Sequence, residues 1–288
     1  MVHGCMRLAG DGSADARRRG WLALEAAVEA GINHFDHADI YGRGACESLF
    51  GEFLAAHPGL RKNLILTSKC GILLPGSKDN DDDVERYDSS SSHIQESVDG
   101  ILARLGVEQL DVLLLHRPDY LINPQEVATT FARLHESGKV AHFGVSNYSV
   151  SQVDLLQSAL PFPLVMNQVE FNIERVAPLD DGVLDQCMAK GMTFQSWCPL
   201  GGVAYPAWGS TLSVDVQERI RDELARQATV YACDPTDVIL AWILFHPAGI
   251  LPIIGTMNAD RIRQAVRALD LPYTRRDWYR LLHARRRL

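Results

Sequence analysis

Short runs of apolar residues alternate with segments of helical periodicity along almost the whole chain. The runs predict eight strands, at residues 3–7, 33–36, 64–69, 110–115, 141–146, 164–168, 192–196 and 251–254. Several runs are apolar at both odd and even positions, which is typical of parallel strands that are covered on both faces. The pattern therefore favours a parallel sheet with two buried faces.

Helical patterns fill the intervals between the predicted strands. They lie at residues 14–30, 46–57, 91–105, 125–137, 150–158, 183–190, 214–232, 236–246 and 259–268. Gly31 and Gly106 directly follow two of them, as is common at helix C-termini. Eight strands that each precede a helix predict a (β/α)8 TIM barrel, and we expect one domain over residues 1–288. No Gly-x-Gly-x-x-Gly motif follows the first strand, which disfavours a Rossmann domain.

Charge and composition exclude several classes of function. The net charge of -8 argues against nucleic acid or an anionic membrane as the main partner, and no apolar run is long enough to span a bilayer. The N-terminus carries no export signal, so we expect a cytoplasmic protein whose six cysteines are free thiols. His34 and His37 have a metal-like spacing, but on a strand their side chains would point to opposite faces, which disfavours a metal site.

Polar side chains stand at the carboxyl ends of several predicted strands, whose interiors are otherwise apolar. In chain order these residues are Asp36, Lys69, His116, Ser146, Asn147 and Gln168. One such residue alone could be a helix cap or a satisfied core residue, although a buried lysine is rare without a partner. The carboxyl ends of barrel strands meet on one face, where the loops at residues 71–90 and 199–211 would also lie. Their combination on one rim predicts an active site there.

Seven short motifs follow one another along the chain. They are "FDHADIYG", "TSKCG", "LLLHRPD", "FGVSNYS", "NQVEFN", "SWCPLGG" and "PIIGTMNADRIRQA". In this order, and over nearly the whole chain, they resemble the successive signatures of the aldo-keto reductase superfamily, and "DHADIYG" and "SKCGI" are similar to a subgroup of bacterial oxidoreductases. The resemblance implies a barrel enzyme that reduces an aldehyde or ketone with NADPH. Family members generally begin with a β-hairpin that closes the bottom of the barrel, and we expect this sequence to lack it.

The resemblance also implies four catalytic residues. Tyr41 matches the general acid, and a tyrosine with an ordinary pKa of about 10 is a poor acid at neutral pH. Lys69 would lower the pKa of this phenol, and Asp36 would hold the ammonium group of Lys69 in place. His116 would donate a hydrogen bond to the carbonyl oxygen and orient the substrate. A hydride from the nicotinamide and a proton from Tyr41 would then give the alcohol.

Further positions match the family's cofactor-binding residues. These are Gly4, Cys5, Met6, Asp36, Ser146, Asn147, Gln168, Trp197, Cys198, Leu200, Gly255, Thr256, Met257 and Arg261. Ser146, Asn147 and Gln168 offer the hydroxyl and amide groups that a nicotinamide carboxamide needs. Trp197 stands where the family stacks an aromatic ring, commonly Tyr, on the nicotinamide, and an indole offers a comparable face.

The phosphates of the cofactor would lie beside two other segments. Cys198 and Leu200 would approach the pyrophosphate through their backbone, and the turn at residues 255–257 would bind phosphate ahead of a helix N-terminus. Arg261, one turn into that helix, could reach a 2′-phosphate. Relatives often carry Lys, Ser or Arg where this chain has Met257, so we expect NADPH to be preferred over NADH only modestly.

Two other functions stay open at this point. The chain could be a nicotinamide-binding regulatory subunit without a metabolic substrate, because some members of the superfamily serve channels. It could also be a barrel aldolase that uses Lys69 as a Schiff-base nucleophile. In the preferred interpretation the partner is a small carbonyl compound, and the protein is a monomer or a weak homo-oligomer that binds neither nucleic acid nor a membrane.

Overall fold

A closed barrel of eight parallel strands occupies the centre of the computed structural model, which describes residues 1–77, 80–81 and 83–286. The strands are β1 (Val2–Gly4), β2 (His34–Asp36), β3 (Ile65–Cys70), β4 (Ile72–Leu73), β5 (Arg86–Tyr87), β6 (Leu110–Leu115), β7 (Val140–Ser146), β8 (Met166–Glu170), β9 (Thr193–Trp197) and β10 (Leu251–Ile254). The barrel order is β1-β2-β3-β6-β7-β8-β9-β10, with β10 pairing back to β1. All eight predicted strands are thereby confirmed, and the barrel with them.

Helices cover the outside of the barrel. They are α1 (Ala14–Glu29), α2 (Ala45–Ala56), α3 (Ser91–Leu105), α4 (Pro124–Glu136), α5 (Val150–Ala159), α6 (Val183–Lys190), α7 (Gly201–Ala204), α8 (Val214–Tyr231), α9 (Pro235–Leu244), α10 (Ala259–Ala265) and α11 (Arg275–Arg286). Each predicted helix is present within a few residues of its expected bounds. No helix in the described part of the chain is long and apolar enough to cross a membrane.

Three segments differ from the sequence-based expectation. The first strand ends at Gly4 and not at residue 7, because the chain turns there and Leu8 N–H donates to the carbonyl of Cys5. The loop at residues 71–90 contains the antiparallel pair β4 and β5, and the loop at residues 199–211 contains α7. Both additions are too short to produce a periodic pattern.

Polar side chains meet inside the barrel. His34 Nε2 lies 2.8 Å from Thr67 Oγ1 and 3.4 Å from Gln195 Nε2. Because β2 and β9 are not neighbours, the contact between His34 and Gln195 crosses the interior. His37 instead packs against Phe50 of α2, with ring centroids 4.6 Å apart. The two histidines therefore point to opposite faces, as predicted.

His3 and His37 lie buried in the layer between the sheet and the helices. His3 packs edge-on against Phe35, with ring centroids 5.8 Å apart, as His37 does against Phe50. The ring nitrogens of both histidines make no hydrogen bond to any described residue. Burial lowers the pKa of His3 to about 4 and that of His37, which also feels the charge of Lys69, to about 3. Both imidazoles are therefore neutral in the folded chain.

This pair makes the fold sensitive to acid. Each histidine binds a proton near pH 6.5 when unfolded but only near pH 3–4 when folded, so stability is full above pH 6.5 and falls below it. At pH 5 we expect each to lower the free energy of unfolding by about 2 kcal/mol relative to pH 7.5. Urea unfolding of a His3→Leu/His37→Leu double variant at both values should show a correspondingly weaker pH dependence. His142→Gln, on an exposed side chain, is the control, and an unchanged dependence in the double variant would contradict the assignment.

Candidate active site

The polar residues predicted at the strand ends lie together at the carboxyl-terminal end of the barrel. Asp36 is the last residue of β2 and pairs in register with Gly4 on one side and Thr67 on the other. Ser146 and Gln168 are register partners on β7 and β8. The parallel register therefore brings residues that are far apart in sequence to one level of the barrel.

Lys69 is the centre of this cluster. It is fully buried, and its Nζ donates to Asp36 Oδ2 at 2.7 Å, to the carbonyl of His37 at 2.7 Å and to Tyr41 Oη at 3.2 Å. These three bonds use all the donors of an ammonium group. Burial alone would lower the pKa of Lys69, but the Asp36 carboxylate and the Tyr41 hydroxyl outweigh it, and the pKa is raised. Lys69 is therefore a fixed cation at neutral pH.

Asp36 is held on its other side by an amide. Gln168 Nε2 donates to Asp36 Oδ1 at 2.8 Å and to Gln195 Oε1 at 2.8 Å. Both carboxylate oxygens are thus bonded, one to Lys69 and one to Gln168. Gln195 was not predicted to belong to the site, although an amide in the middle of a buried strand could have indicated it. The arrangement fixes the ammonium group of Lys69 against the carboxylate.

Tyr41 follows β2 in a short 3-10 turn, Tyr41–Gly44. Gly42, Arg43 and Gly44 all adopt positive φ there, at 57°, 52° and 90°, which is costly for Arg43 and natural for the two glycines. Lys69 lowers the pKa of Tyr41, as expected, but burial raises it by more, so the net direction is upward. The phenol is protonated at neutral pH and can act as an acid.

His116 lies beside the tyrosine. The two rings meet edge to face, with centroids 5.9 Å apart and planes at 80°. Burial, reinforced by the cations of Lys69 and Arg117, lowers the pKa of His116 well below its usual value. Its Nδ1 makes no hydrogen bond to any described residue. A neutral imidazole in this position can orient a bound oxygen without changing its own charge.

A chain of hydrogen bonds continues from the tetrad along the rim. Trp197 Nε1 donates to Asn147 Oδ1 at 2.9 Å, Asn147 Nδ2 donates to Ser146 Oγ at 2.9 Å, and Ser146 Oγ donates to the carbonyl of Gln168 at 2.9 Å. Asn147 has φ 60°, a conformation that asparagine tolerates better than most residues. The amide of Asn147 retains one further donor and one further acceptor site. These residues fit the carboxamide of a nicotinamide.

The end of β1 was also predicted to line the cofactor site. A Cβ on Gly4 would meet Ile253 Cγ2 at 2.8 Å, so only glycine fits there without a shift. The side chain of Cys5 is fully buried in the hydrophobic core, whereas Met6 is 45% exposed. Cys5 can therefore contribute to a ligand site through its backbone only.

The predicted phosphate-binding turn leads into α10. Thr256 Oγ1 accepts from Asn258 N–H at 3.2 Å, and the Asn258 side chain caps the helix by accepting from Arg261 N–H at 3.0 Å. The helix start therefore has fewer free N–H groups than predicted. Arg263 donates to Glu29 at 2.9 Å, whereas the exposed guanidinium of Arg261 makes no hydrogen bond or ion pair to the described residues.

The loop after β9 is held by hydrogen bonds to a turn that contains Asn172 and Glu174. The sequence analysis did not predict this turn. Asn172 Nδ2 donates to the carbonyl of Cys198 at 2.9 Å, and Cys198 has φ 52°. The buried carboxylate of Glu174 accepts from Val203 N–H and from Ser210 Oγ. Hydrogen bonds within the chain thus hold the segment from Cys198 to Ser210, which includes the predicted contact Leu200.

Comparisons with known proteins agree with this geometry. The model of the aldo/keto reductase family matches residues 1–285. The oxidoreductase YdhF of Escherichia coli (strain K12) is 41% identical over 91% of this chain and 85% of its own length. A 6-dehydroglucose reductase of Agrobacterium fabrum is 36% identical over 98% of this chain and 92% of its own.

A solved structure supports the fold. The glycerol dehydrogenase of Gluconobacter oxydans superposes with a TM-score of 0.85, covers 99% of this chain and 91% of its own, and is 22% identical. The family model spans the barrel and every residue of the Lys69 cluster, and members of this family reduce carbonyl groups with nicotinamide cofactors. The chain therefore belongs to the aldo/keto reductase family and is an NAD(P)H-dependent oxidoreductase.

Proposed function

We propose that this protein reduces a small aldehyde or ketone to an alcohol with NADPH, and that Tyr41 is the proton donor. The observation that carries the proposal is the contact of 3.2 Å between Lys69 Nζ and the hydroxyl of Tyr41, beside the neutral imidazole of His116. A protonated phenol, a fixed cation and a neutral hydrogen-bond donor are the groups that carbonyl reduction requires around the carbonyl oxygen.

The residues divide the chemistry among them. A reduced nicotinamide held beside Trp197 would provide the hydride for the carbonyl carbon. As the π electrons of the C=O bond move to the oxygen, Tyr41 Oη transfers its proton there, and His116 donates a hydrogen bond to the same oxygen. Lys69 stabilises the phenolate that remains on Tyr41, which takes up a proton from solvent before the next turnover. Asn147, Ser146 and Gln168 would hold the carboxamide of that nicotinamide.

The fixed charge of Lys69 argues against the aldolase alternative. A Schiff base forms from a neutral amine, whereas the raised pKa of Lys69 keeps it an ammonium group. All three of its donors are also engaged. Sodium borohydride should therefore leave Lys69 unmodified in the presence of carbonyl compounds.

Oxidation of NADPH, followed by absorbance over a panel of aldehydes, ketones and sugars, tests the proposed function. The relative from Agrobacterium fabrum is named a 6-dehydroglucose reductase, which supports including sugar-type aldehydes in the panel. Turnover of at least one class is the expected result. A protein that binds NADPH tightly and reduces no member of the panel would favour the regulatory subunit instead.

Arg261 is proposed to select NADPH over NADH. Arg7 and Arg263 are both engaged near the turn at residues 255–257: Arg7 donates to the carbonyl of Gly255 at 3.0 Å, and Arg263 is paired with Glu29 and Asp260. The guanidinium of Arg261 makes no bond within the described residues, so its donors are available to a phosphate. A charge-assisted bond to a 2′-phosphate contributes roughly 1.5–3 kcal/mol. We expect Arg261→Ala to raise the Kd for NADPH by about ten- to a hundredfold and to leave the Kd for NADH nearly unchanged.

Fluorescence titration of both cofactors decides the role of Arg261. Arg263→Ala is the matched control. It also removes an arginine from the short helix α10, but the guanidinium of Arg263 is already paired with Glu29. Equal losses for NADPH and NADH in Arg261→Ala would place this side chain away from the 2′-phosphate. A wild-type protein that prefers NADH would overturn the cofactor assignment.

A further inference from the structure

Arg117 is a cation beside the catalytic residues that forms no ion pair with any residue the structure describes. It directly follows His116 after β6, and its guanidinium carbon lies 5.7 Å from the centre of the Trp197 ring. The side chain is partly exposed, and its guanidinium donates to no side chain or carbonyl among the residues that the structure describes. An arginine carries five donors, so in a chain of net charge -8 a guanidinium with no bond to the described residues is unusual.

The neighbouring carboxylates on the rim are already engaged. Both oxygens of Asp36 are bonded, to Lys69 and to Gln168. Asp119, two residues after Arg117, accepts from the backbone and hydroxyl of Ser89 at 3.0 and 2.6 Å and from Leu121 N–H at 2.8 Å. The charge of Arg117 is therefore not compensated by Asp36 or Asp119.

Glu170, at the end of β8, is also committed elsewhere. Its Oε1 accepts from Asn172 at 3.4 Å and lies 3.9 Å from Arg175 Nε. Arg175 thus provides a second arginine on this end of the barrel that does have a carboxylate partner. In contrast to Arg175, Arg117 has no carboxylate partner among the described residues, so its donors are available to a ligand.

We propose that Arg117 binds acceptor oxygens, either a carboxylate or vicinal hydroxyls, on the part of the substrate that lies beyond the reacting carbonyl. The proposal rests on the proposed function. In the proposed function, His116 contacts the carbonyl oxygen and the nicotinamide ring lies beside Trp197. Because Arg117 lies next to both residues, it faces the part of the substrate that extends away from the carbonyl group. The planar fork of an arginine matches paired oxygens better than a lysine does. The substrate class is then an oxygen-rich aldehyde or ketone and not an apolar one.

Matched substrate pairs test this assignment. The pairs are 4-carboxybenzaldehyde with 4-methylbenzaldehyde, and glyceraldehyde with propanal. In the wild type we expect kcat/KM to favour the oxygen-bearing member of at least one pair by about tenfold or more, and Arg117→Met to reduce that ratio by about tenfold. A response of the first pair alone identifies an anionic substrate, and a response of the second alone identifies a polyhydroxy substrate.

Arg175→Met is the matched control, and we expect it to leave both ratios at the wild-type values. Ratios near one in the wild type for both pairs would overturn the proposal. The same holds if Arg117→Met slows both members of each pair equally, because that result indicates a structural role. Arg117→Lys should keep part of the preference for the carboxylate, since the charge remains, and little of the preference for the diol.

A binding measurement separates this proposal from the reductase activity. Calorimetric titration of the NADP⁺ complex with 4-carboxybenzyl alcohol and 4-methylbenzyl alcohol, and with glycerol and 1-propanol, needs no turnover. Preferred binding of an oxygen-bearing alcohol that Arg117→Met abolishes supports the role of Arg117 even if no aldehyde is reduced, in which case only the proposed function fails. Equal binding within both pairs overturns the role of Arg117 whatever the activity.

Discussion

Tyr41→Phe is expected to lower the turnover number for carbonyl reduction by about 10²–10⁴, which is the range that general acid catalysis contributes. The hydroxyl that is lost is the group in contact with Lys69 Nζ at 3.2 Å, and no other described acid occupies that position. We expect the Kd for NADPH to stay within a few-fold of the wild-type value, because the phenol is placed to meet the substrate and not the cofactor.

Steady-state kinetics and a cofactor titration on the same preparation measure both effects. Thermal unfolding of the variant serves as the control for folding, since phenylalanine retains the ring that packs on His116. A variant that retains more than about a tenth of the wild-type turnover would mean that another group supplies the proton. Water reaching the carbonyl oxygen through the space of the lost hydroxyl would be the first alternative to examine.

Lys69→Met should be at least as damaging as the loss of the phenol. Lys69 is the group that opposes the effect of burial on Tyr41, so its removal raises the pKa of the phenol further and leaves a weaker acid. Reduction needs the protonated phenol, so in the wild type the rate is retained at neutral pH and falls only as pH rises through the raised pKa of Tyr41. In the variant the overall rate drops, and this alkaline limb moves to still higher pH.

Asp36→Asn provides the comparison, because Asp36 is bonded to Lys69, while its own charge raises the pKa of Tyr41 and so opposes the effect of Lys69. We expect a smaller loss of kcat than in Lys69→Met, with the alkaline limb displaced less. The pH profile of kcat distinguishes this coupling from a merely structural role, since a destabilised barrel would lose activity without moving the limb. A Lys69→Met protein with wild-type rate and an unmoved limb would contradict the coupling.

The strand ends of the site could be predicted from the sequence because polar residues interrupt otherwise apolar runs. Asp36, Lys69 and Gln168 stand out for this reason, and the parallel register then requires them to meet. Tyr41 lies in a turn and not in a strand, so periodicity alone could not place it, and its assignment depended on the family motif.

Other features of the site depend on distances that a sequence does not contain. The upward pKa of Tyr41 results from a balance between burial and the ammonium of Lys69, and neither burial nor distance can be read from residue types. Glu174 and Asn172 lie in a turn whose partners are about 30 residues away. The lack of an ion pair between Arg117 and the described residues likewise depends on how the nearby carboxylates are bonded in the folded chain.

The tie between the turn at Asn172–Glu174 and the loop from Cys198 to Ser210 has a consequence for the entropy of cofactor binding. Fixing the backbone of one residue costs roughly 1–2 kcal/mol, and a loop that becomes ordered only around its ligand takes this from the free energy of binding. Here Cys198, Val203 and Ser210 are already fixed by Asn172 and Glu174 when the chain folds. The conformational cost of this loop therefore falls on the stability of the protein, and a dinucleotide bound there as proposed would lose less of its binding free energy to ordering the loop.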